Sequence, residues 1–283
     1  MSAIAVLGLG AMGRAIAGRL QGAGHDLSVW NRTPGRGDEL VSTGARRAQT
    51  PADAVRDAEV VITVLTDPPA LEDVLFGPHG AAPAIPHSSL LIEMSTVGPA
   101  EIASVAQRLA PVNVFDAPVL GSVPSVEAGR LMILVGGDRE EFERHGDLLA
   151  VLGTPMYVGP SGSGAWLKLI NNAASIGTLV ALGELLALTD RAGLEIDVVL
   201  DSLKLGPLAS LIDRWRPRLK GEDDGSYFRL ALARKDLALV FDEAERAAVR
   251  LSVPETAAAR CDDAIEAGLG DRDFRAIVGF LRG

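Results

Sequence analysis

The sequence predicts an α/β fold: a doubly wound parallel sheet in the N-terminal part and an all-helical C-terminal part. Three observations predict it. Short apolar runs alternate with helical stretches through about residue 160, the strand signals then stop, and long Ala- and Leu-rich segments fill the rest. Strand–helix alternation of this kind builds parallel sheets. The apolar runs are continuous, not alternating, which places both faces of the sheet in a core.

Taken in chain order, "AIAVLGL" reads as a first strand, 11–21 as a helix and "DLSVWN" as a second strand. Further strands are expected at 59–65, 89–95 and 112–119, with helices at 51–56 and 99–109 between them. In the C-terminal part, helices are expected at 165–191, 196–203, 208–218, 229–248 and 254–268. Glycines 159, 162 and 164 punctuate the change of pattern, so two domains are expected, 1–160 and 161–283.

The chain has 283 residues, 48% of them apolar, enough to bury a core in each part. Aromatics make up only 4%, so Ala, Leu and Val must fill those cores. The net charge of −10, from 27 basic and 37 acidic residues, argues against a nucleic-acid or anionic-membrane surface. It leaves room for one anionic pocket. A single cysteine, Cys261, rules out an intrachain disulfide and fits a reducing compartment such as the cytoplasm. No basic segment precedes the first apolar run, which breaks at Gly8, so no secretory signal is read there. The longest uncharged apolar stretch, 169–183, falls short of the roughly 20 residues of a membrane span and reads as a buried helix. His25, His79, His87 and His145 show no metal-ligand spacing, and no metal site is expected.

"VLGLGAMG" places Gly8, Gly10 and Gly13 in G-x-G-x-x-G spacing between a strand and a helix. In a Rossmann unit the first glycine makes the tight turn, the second lets the backbone approach a pyrophosphate, and the third packs helix on strand. The helix N-terminus then offers amides and its positive dipole end to the phosphates. The second strand ends in "WNRT", with no carboxylate to bind ribose hydroxyls. Arg32 suits a 2′-phosphate instead, with Asn31 and Thr33 adding neutral hydrogen bonds. NADP(H) is therefore the expected cofactor; the alternative for Arg32 is a solvated turn residue. Leu65, Thr66, Ser95 and Thr96 end later strands and are expected at the ribose and nicotinamide, with turn or cap roles as the alternative. Met12 and Trp166 are further candidates to touch the cofactor, or packing residues.

"GPSGSGAWLKLINN" raises the chemical question. Lys168 opens a long apolar helix, and Asn172 lies one turn on, on the same face. Given a hydride donor, an ammonium group is what a forming alkoxide needs. The alternative is a lysine that snorkels from a core helix into water.

Four segments, in order, are similar to those of the β-hydroxyacid dehydrogenase family, which includes 3-hydroxyisobutyrate dehydrogenases, tartronate semialdehyde reductases and glyoxylate/succinic semialdehyde reductases. "GLGAMG" is similar to the family's cofactor loop, and "DAPVLGS" (116–122) resembles its substrate segment, usually D-A-P-V-S-G-G. "GPSGSGAWLKLINN" matches G-x-x-G-x-G-x-x-x-K-x-x-x-N at every fixed position, and "KDLAL" (235–239) resembles the C-terminal K-D-L segment.

The resemblance implies that Lys168 is the catalytic acid/base and that Asn172 binds substrate beside it. It implies that Ser122 and the amides of Gly121 and Val123 meet a substrate carboxylate. It also implies that Lys235 approaches cofactor and substrate, with Asp236 holding it. A long helix is expected to join the NADP-binding domain to a helical substrate and dimerisation domain, through which homodimers or homotetramers form. The implied activity is NADPH-dependent hydride transfer to or from a small carbonyl or hydroxyacid. The chain departs from the pattern at Leu120, where the family has serine, and Ser122 follows two residues later. This implies a larger or less polar substrate; selectivity is expected from 120–125, from the Lys168 helix and from helical-domain side chains such as Trp215, Tyr227 and Phe228. Two other readings stay open: an imine reductase, whose family commonly carries Asp or Tyr in place of Lys168, and a catalytically silent dinucleotide-binding module.

Overall fold

A computed structural model describes residues 2–222 and 228–283. Tyr227, expected to contribute to selectivity, lies outside the described residues. The chain divides into two compact units, Met1–Leu169 and Ile170–Gly283.

In the first unit the elements follow as β1 (Ala3–Leu7), α1 (Ala11–Gly22), β2 (Asp26–Trp30), α2 (Asp38–Ser42), β3 (Arg46–Arg47), α3 (Pro51–Val55), β4 (Val60–Thr63), α4 (Pro68–Phe76), β5 (Leu90–Glu93), α5 (Pro99–Leu109) and β6 (Asn113–Asp116). Then come β7 (Val119–Leu120), α6 (Val123–Glu127), β8 (Leu131–Gly136), α7 (Arg139–Ala150), β9 (Gly153–Gly159) and α8 (Ser163–Arg191), which continues into the second unit. The strands form one sheet in the order β3-β2-β1-β4-β5-β6-β8-β7, with β9 on β8. From β3 to β6 every pairing is parallel, as the alternation predicts. The order reverses beside β1, which sits between β2 and β4. Two cores flank the sheet. One contains Ile4, Val6, Ile62, Ile92 and Phe115, the other Leu7, Val61, Leu91, Val114 and the helix residue Ala165.

Local sequence explains several boundaries. Thr50 caps α3 by accepting from Asp53 N, and Asp67 caps α4 by accepting from Ala70 N; each is followed by proline at the first helical position. Several features differ from the sequence expectation. The strand expected at 112–119 is divided: β6 stops at Asp116, and after Ala117 and Pro118 the chain resumes as β7, antiparallel to β8. Proline has no N–H to donate to a ladder. Asp116 itself pairs antiparallel with Gly136. Strands β8 and β9 and helix α7 were not among the expected elements. β9 carries Pro155 and pairs only on the β8 side, where an edge tolerates it.

The second unit is helical, as predicted: the remainder of α8, then α9 (Ile196–Lys204), α10 (Ala209–Leu219), α11 (Leu230–Arg246), α12 (Ser252–Ala264), a wider helical turn at Ile265–Leu269, and α13 (Ile277–Arg282). Leu200, Ile212, Leu219, Leu237 and Ala264 are buried in it. Trp215 is also buried, edge-on to Phe274 at 5.9 Å, and Phe228 packs on the same ring at 5.3 Å. These two expected selectivity residues thus belong to an aromatic packing cluster. α8 is long and apolar enough to cross a membrane by length and composition, and half of its most apolar window is buried within the protein.

Cys261 is fully buried on α12, and burial pushes its thiol up to about 11. At pH 8 the native protein is expected to resist a thiol-specific disulfide reagent over minutes. One thiol per chain should react once denaturant is added; fast labelling of the native protein would contradict this packing.

Candidate active site

The carboxyl ends of β1, β4, β5 and β6 gather the predicted site segments of the first unit, where open α/β sheets hold their ligands. Gly8 follows β1 with φ +101°, and its N–H donates to Trp30 O at 2.9 Å. A Cβ on Gly13 would stand 1.9 Å from Gly8 O, so α1 lies as close to the strand end as backbone permits. A Cβ on Gly10 would meet nothing within 4 Å. That glycine opens α1 with no side-chain cap, and no acidic residue stands in the first turn. Met12 is half-buried against the core.

Asn31 makes two hydrogen bonds within the protein. Its Oδ1 accepts from Leu9 N at 2.9 Å and its Nδ2 donates to Thr33 O at 3.0 Å. The amide oxygen thus ties the glycine loop to the end of β2, and the amide nitrogen braces the turn that follows it. Arg32 and Thr33 are exposed, and among the described residues Arg32 forms no ion pair. Leu65 N donates to Ser95 Oγ at 2.7 Å; Thr66 is exposed and Thr96 half-buried.

Beneath these loops runs a polar row that the sequence reading did not identify. Thr63, Glu93 and Asp116 stand in register on β4, β5 and β6, each fully buried. Thr63 Oγ1 donates to Glu93, whose other carboxylate oxygen accepts from Ser95 N at 2.6 Å. Asp116 accepts from Gly162 N and Ala165 N, each at 2.8 Å. Burial pushes the Asp116 carboxyl up, while the backbone amides, Ala165 first, pull it down. The available signal was a carboxylate closing an apolar strand, which has to find donors once buried.

Lys168 lies on α8 just after that capped turn. It is half-buried, and its ammonium donates to Val119 O at 2.8 Å. The loop after β7 holds Gly121, with φ +140°, and Ser122, whose N–H donates to Ser125 Oγ at 3.3 Å ahead of Val123. A Cβ on Gly121 would stand 2.8 Å from the Leu131 side chain. Leu120 is half-buried and paired with Met132 of β8. Trp166 is 40% exposed.

In the second unit the remaining predicted residues come together. Asn172 Nδ2 donates to Asp236 Oδ2 at 2.6 Å, and Lys235 Nζ lies 2.8 Å from Asp236 Oδ1. Asp236 is buried and joins Lys235 to Asn172. The asparagine–aspartate bond spans two predicted motifs and was not expected from sequence.

Residues 3–159 match the NAD binding domain of 6-phosphogluconate dehydrogenase, and 162–281 match the NAD-binding domain of NADP-dependent 3-hydroxyisobutyrate dehydrogenase. The chain is 34% identical to glyoxylate/succinic semialdehyde reductase 1 of Arabidopsis thaliana over 97% of its length and 96% of that protein. The chain belongs to the β-hydroxyacid dehydrogenase family. Among solved structures it is similar to Mycobacterium tuberculosis 3-hydroxyisobutyrate dehydrogenase with L-serine, with a TM-score of 0.89 and 25% identity over the whole of both chains. It is less similar to a Streptomyces aurantiacus imine reductase, with a TM-score of 0.66 and 25% identity over 99% of this chain and all of that one. As a member of the family it is an oxidoreductase of the β-hydroxyacid and semialdehyde type, with NAD(P)(H) as cofactor.

The residues present fit that cofactor. The uncapped start of α1, free of acidic side chains and with open space over Gly10, is what a pyrophosphate requires. Gly13→Ala is expected to push α1 from the strand end, destabilising the protein by about 1–3 kcal/mol and weakening dinucleotide binding. Denaturant titration and fluorescence titration with NADPH measure both; an unchanged affinity would contradict the close approach.

Proposed function

We propose that this family member is an NADPH-preferring reductase of small aldehydes, semialdehydes or keto acids, acting in reverse as a β-hydroxyacid dehydrogenase, with Lys168 as general acid and base. The observation that supports it most directly is the held ammonium: Lys168 Nζ bonded to Val119 O at 2.8 Å, beside the segment that resembles the family's substrate loop.

Bound NADPH supplies the hydride to the carbonyl carbon. As the carbonyl oxygen becomes anionic, Lys168 exchanges its Val119 bond for one to that oxygen and delivers a proton, becoming a neutral amine. In the oxidative direction the amine takes the hydroxyl proton. Asn172 meets a substrate oxygen, its orientation set by Asp236. The buried carboxylate of Asp236 also steadies Lys235, which supplies positive charge to substrate or cofactor. Ser122 and the amides of Gly121 and Val123 receive a substrate carboxylate. Gly8, Gly10 and Gly13 hold the pyrophosphate, while Met12, Leu65, Thr66 and Thr96 line the ribose and nicotinamide. Arg32 takes the 2′-phosphate with neutral hydrogen bonds from Asn31 and Thr33, and Asn31 also holds the glycine loop through Leu9 N. In place of a serine hydroxyl, Leu120 presents an apolar side chain, which favours a substrate with some apolar bulk.

In this reading the N-terminal domain, 1–160, binds NADP(H), and the helical domain, 161–283, serves substrate and dimerisation in a soluble, cytoplasmic homodimer or homotetramer. Exposed apolar side chains of the helical unit support an oligomer: Leu185 and Leu188 on α8, Leu194, and Val198 and Leu205 beyond it are 53–91% exposed. The imine reductase reading is favoured by the shared fold and by Leu120 and disfavoured by Lys168, whose charge repels an iminium. A silent module has no use for the ammonium of Lys168.

Lys168→Ala is expected to lower kcat by about 100-fold or more with NADPH affinity unchanged, in an oxidation screen over glyoxylate, semialdehydes and cyclic imines. Near-normal turnover would remove the assigned role, and activity on the imines alone would select the other reading. Arg32→Ala is expected to raise KM for NADPH about tenfold or more and leave KM for NADH nearly unchanged. Equal effects on both cofactors would defeat the 2′-phosphate assignment. Leu185→Glu combined with Leu188→Glu should yield a smaller species by light scattering; an unchanged mass would move the interface elsewhere.

A further inference from the structure

Two backbone amides at the glycine-rich start of α8, Gly162 N and Ala165 N, donate out of that turn. Both are taken by Asp116, 46 positions before Gly162 in the chain. Asp116 Oδ1 accepts from Gly162 N and Oδ2 from Ala165 N, both at 2.8 Å, so each carboxylate oxygen is engaged by the start of α8. The surrounding backbone is cut to admit this carboxylate. A Cβ on Gly136, paired with Asp116 across β6 and β8, would stand 2.5 Å from Asp116 Oδ1. A Cβ on Gly164 would stand 2.6 Å from Asp116 O and 2.3 Å from Leu134 O. Asp116 is fully buried, and nothing about its position exposes it to a ligand.

The same short segment holds the helix a second time. Three residues after Asp116, Val119 O accepts from the Lys168 ammonium; three residues after Ala165 comes Lys168 itself. An α-helix rises about 1.5 Å per residue, so the cap and the lysine are separated by less than one turn. A displacement of the capped turn therefore carries the lysine with it.

We propose that Asp116 is the positioning residue for Lys168: by capping α8 from the neighbouring strand, its carboxylate sets the place from which the ammonium meets the substrate oxygen. The segment that resembles a substrate loop thus begins with a scaffold residue, and its contact with substrate starts beyond Val119. A local N-cap at Gly162 would stabilise the helix equally well without fixing it to β6. The carboxylate supplied by the strand does both. The proposal rests on Lys168 being the acid/base.

The test is a cycle of Asp116→Asn, Lys168→Ala and the double variant, with NADPH Kd, melting temperature and the single-turnover hydride-transfer rate measured on each full-length, NADPH-loaded protein. Asn presents one acceptor and one donor where two acceptors are needed. In the Lys168 background, Asp116→Asn is expected to slow transfer at least tenfold with NADPH Kd within twofold. In the Lys168→Ala background it is expected to add less than twofold, since no lysine is left to misplace. A purely structural cap would lower the melting temperature in both backgrounds and leave the rate of the folded enzyme alone. That result, or rate losses that multiply across the cycle, overturns the proposal. If Asp116→Asn does not fold, Asp116→Ser, which keeps one small acceptor, is read the same way; failure of both to fold assigns the carboxylate to folding and also overturns it. Full activity in Lys168→Ala overturns the Lys168 reading and this one together. An inactive Lys168→Ala beside a fully active Asp116→Asn overturns this one alone.

Discussion

A carboxylate with no access to water must be met by donors, and that constraint at Asp116 organises the end of the sheet. Burying an ion without partners is prohibitive, while backbone amides at a helix start lack partners of their own. The two deficits cancel when α8 begins against β6, with Gly162 and Ala165 donating to the same side chain. Glu93 meets the same requirement one strand away through Thr63 and Ser95 N. The row of Thr63, Glu93 and Asp116 thus replaces apolar packing at the one level of the sheet where loops must be held in fixed places.

Close approach is the second constraint, and it is written in glycine. Gly13 lies against Gly8 O, and Gly164 against the carbonyls of Asp116 and Leu134. The first contact brings α1 to the strand end where its uncapped amides face open space; the second does the same for α8. Each helix start is therefore placed by backbone packing, and its polar surroundings decide what it serves. The first is left uncapped and open above Gly10, and the second is filled by the protein's own carboxylate.

Charge is used sparingly inside and freely outside. Exposed pairs such as Arg108 with Glu72 or Arg282 with Asp190 hold their carboxyls below the usual range, yet pairs in contact with water add little to stability. Asp236, buried and bonded to both Asn172 and Lys235, is of a different kind. Removing one partner there leaves a buried charge uncompensated.

Much of this was legible in the chain itself. Continuous apolar runs specified a parallel sheet because a two-sided core requires them, and the G-x-G-x-x-G spacing specified the turn between β1 and α1. The spacing of Lys168 and Asn172 placed them one turn apart on a helix whatever surrounds it. Other features depended on pairings across long stretches of sequence. The division of the strand at 112–119 followed from Pro118 and the antiparallel arrival of β8, and β9 was accepted only because an edge tolerates Pro155. That Asn31 also holds Leu9 N, at 2.9 Å, was settled only by folding, which brings together residues 22 apart in the chain. Residue type tells that Asp116 and Lys168 carry charge, and local spacing tells which helix bears the lysine. That one holds the start of the other's helix was decided by tertiary structure, because a hydrogen bond between residues 116 and 165 has no local signature.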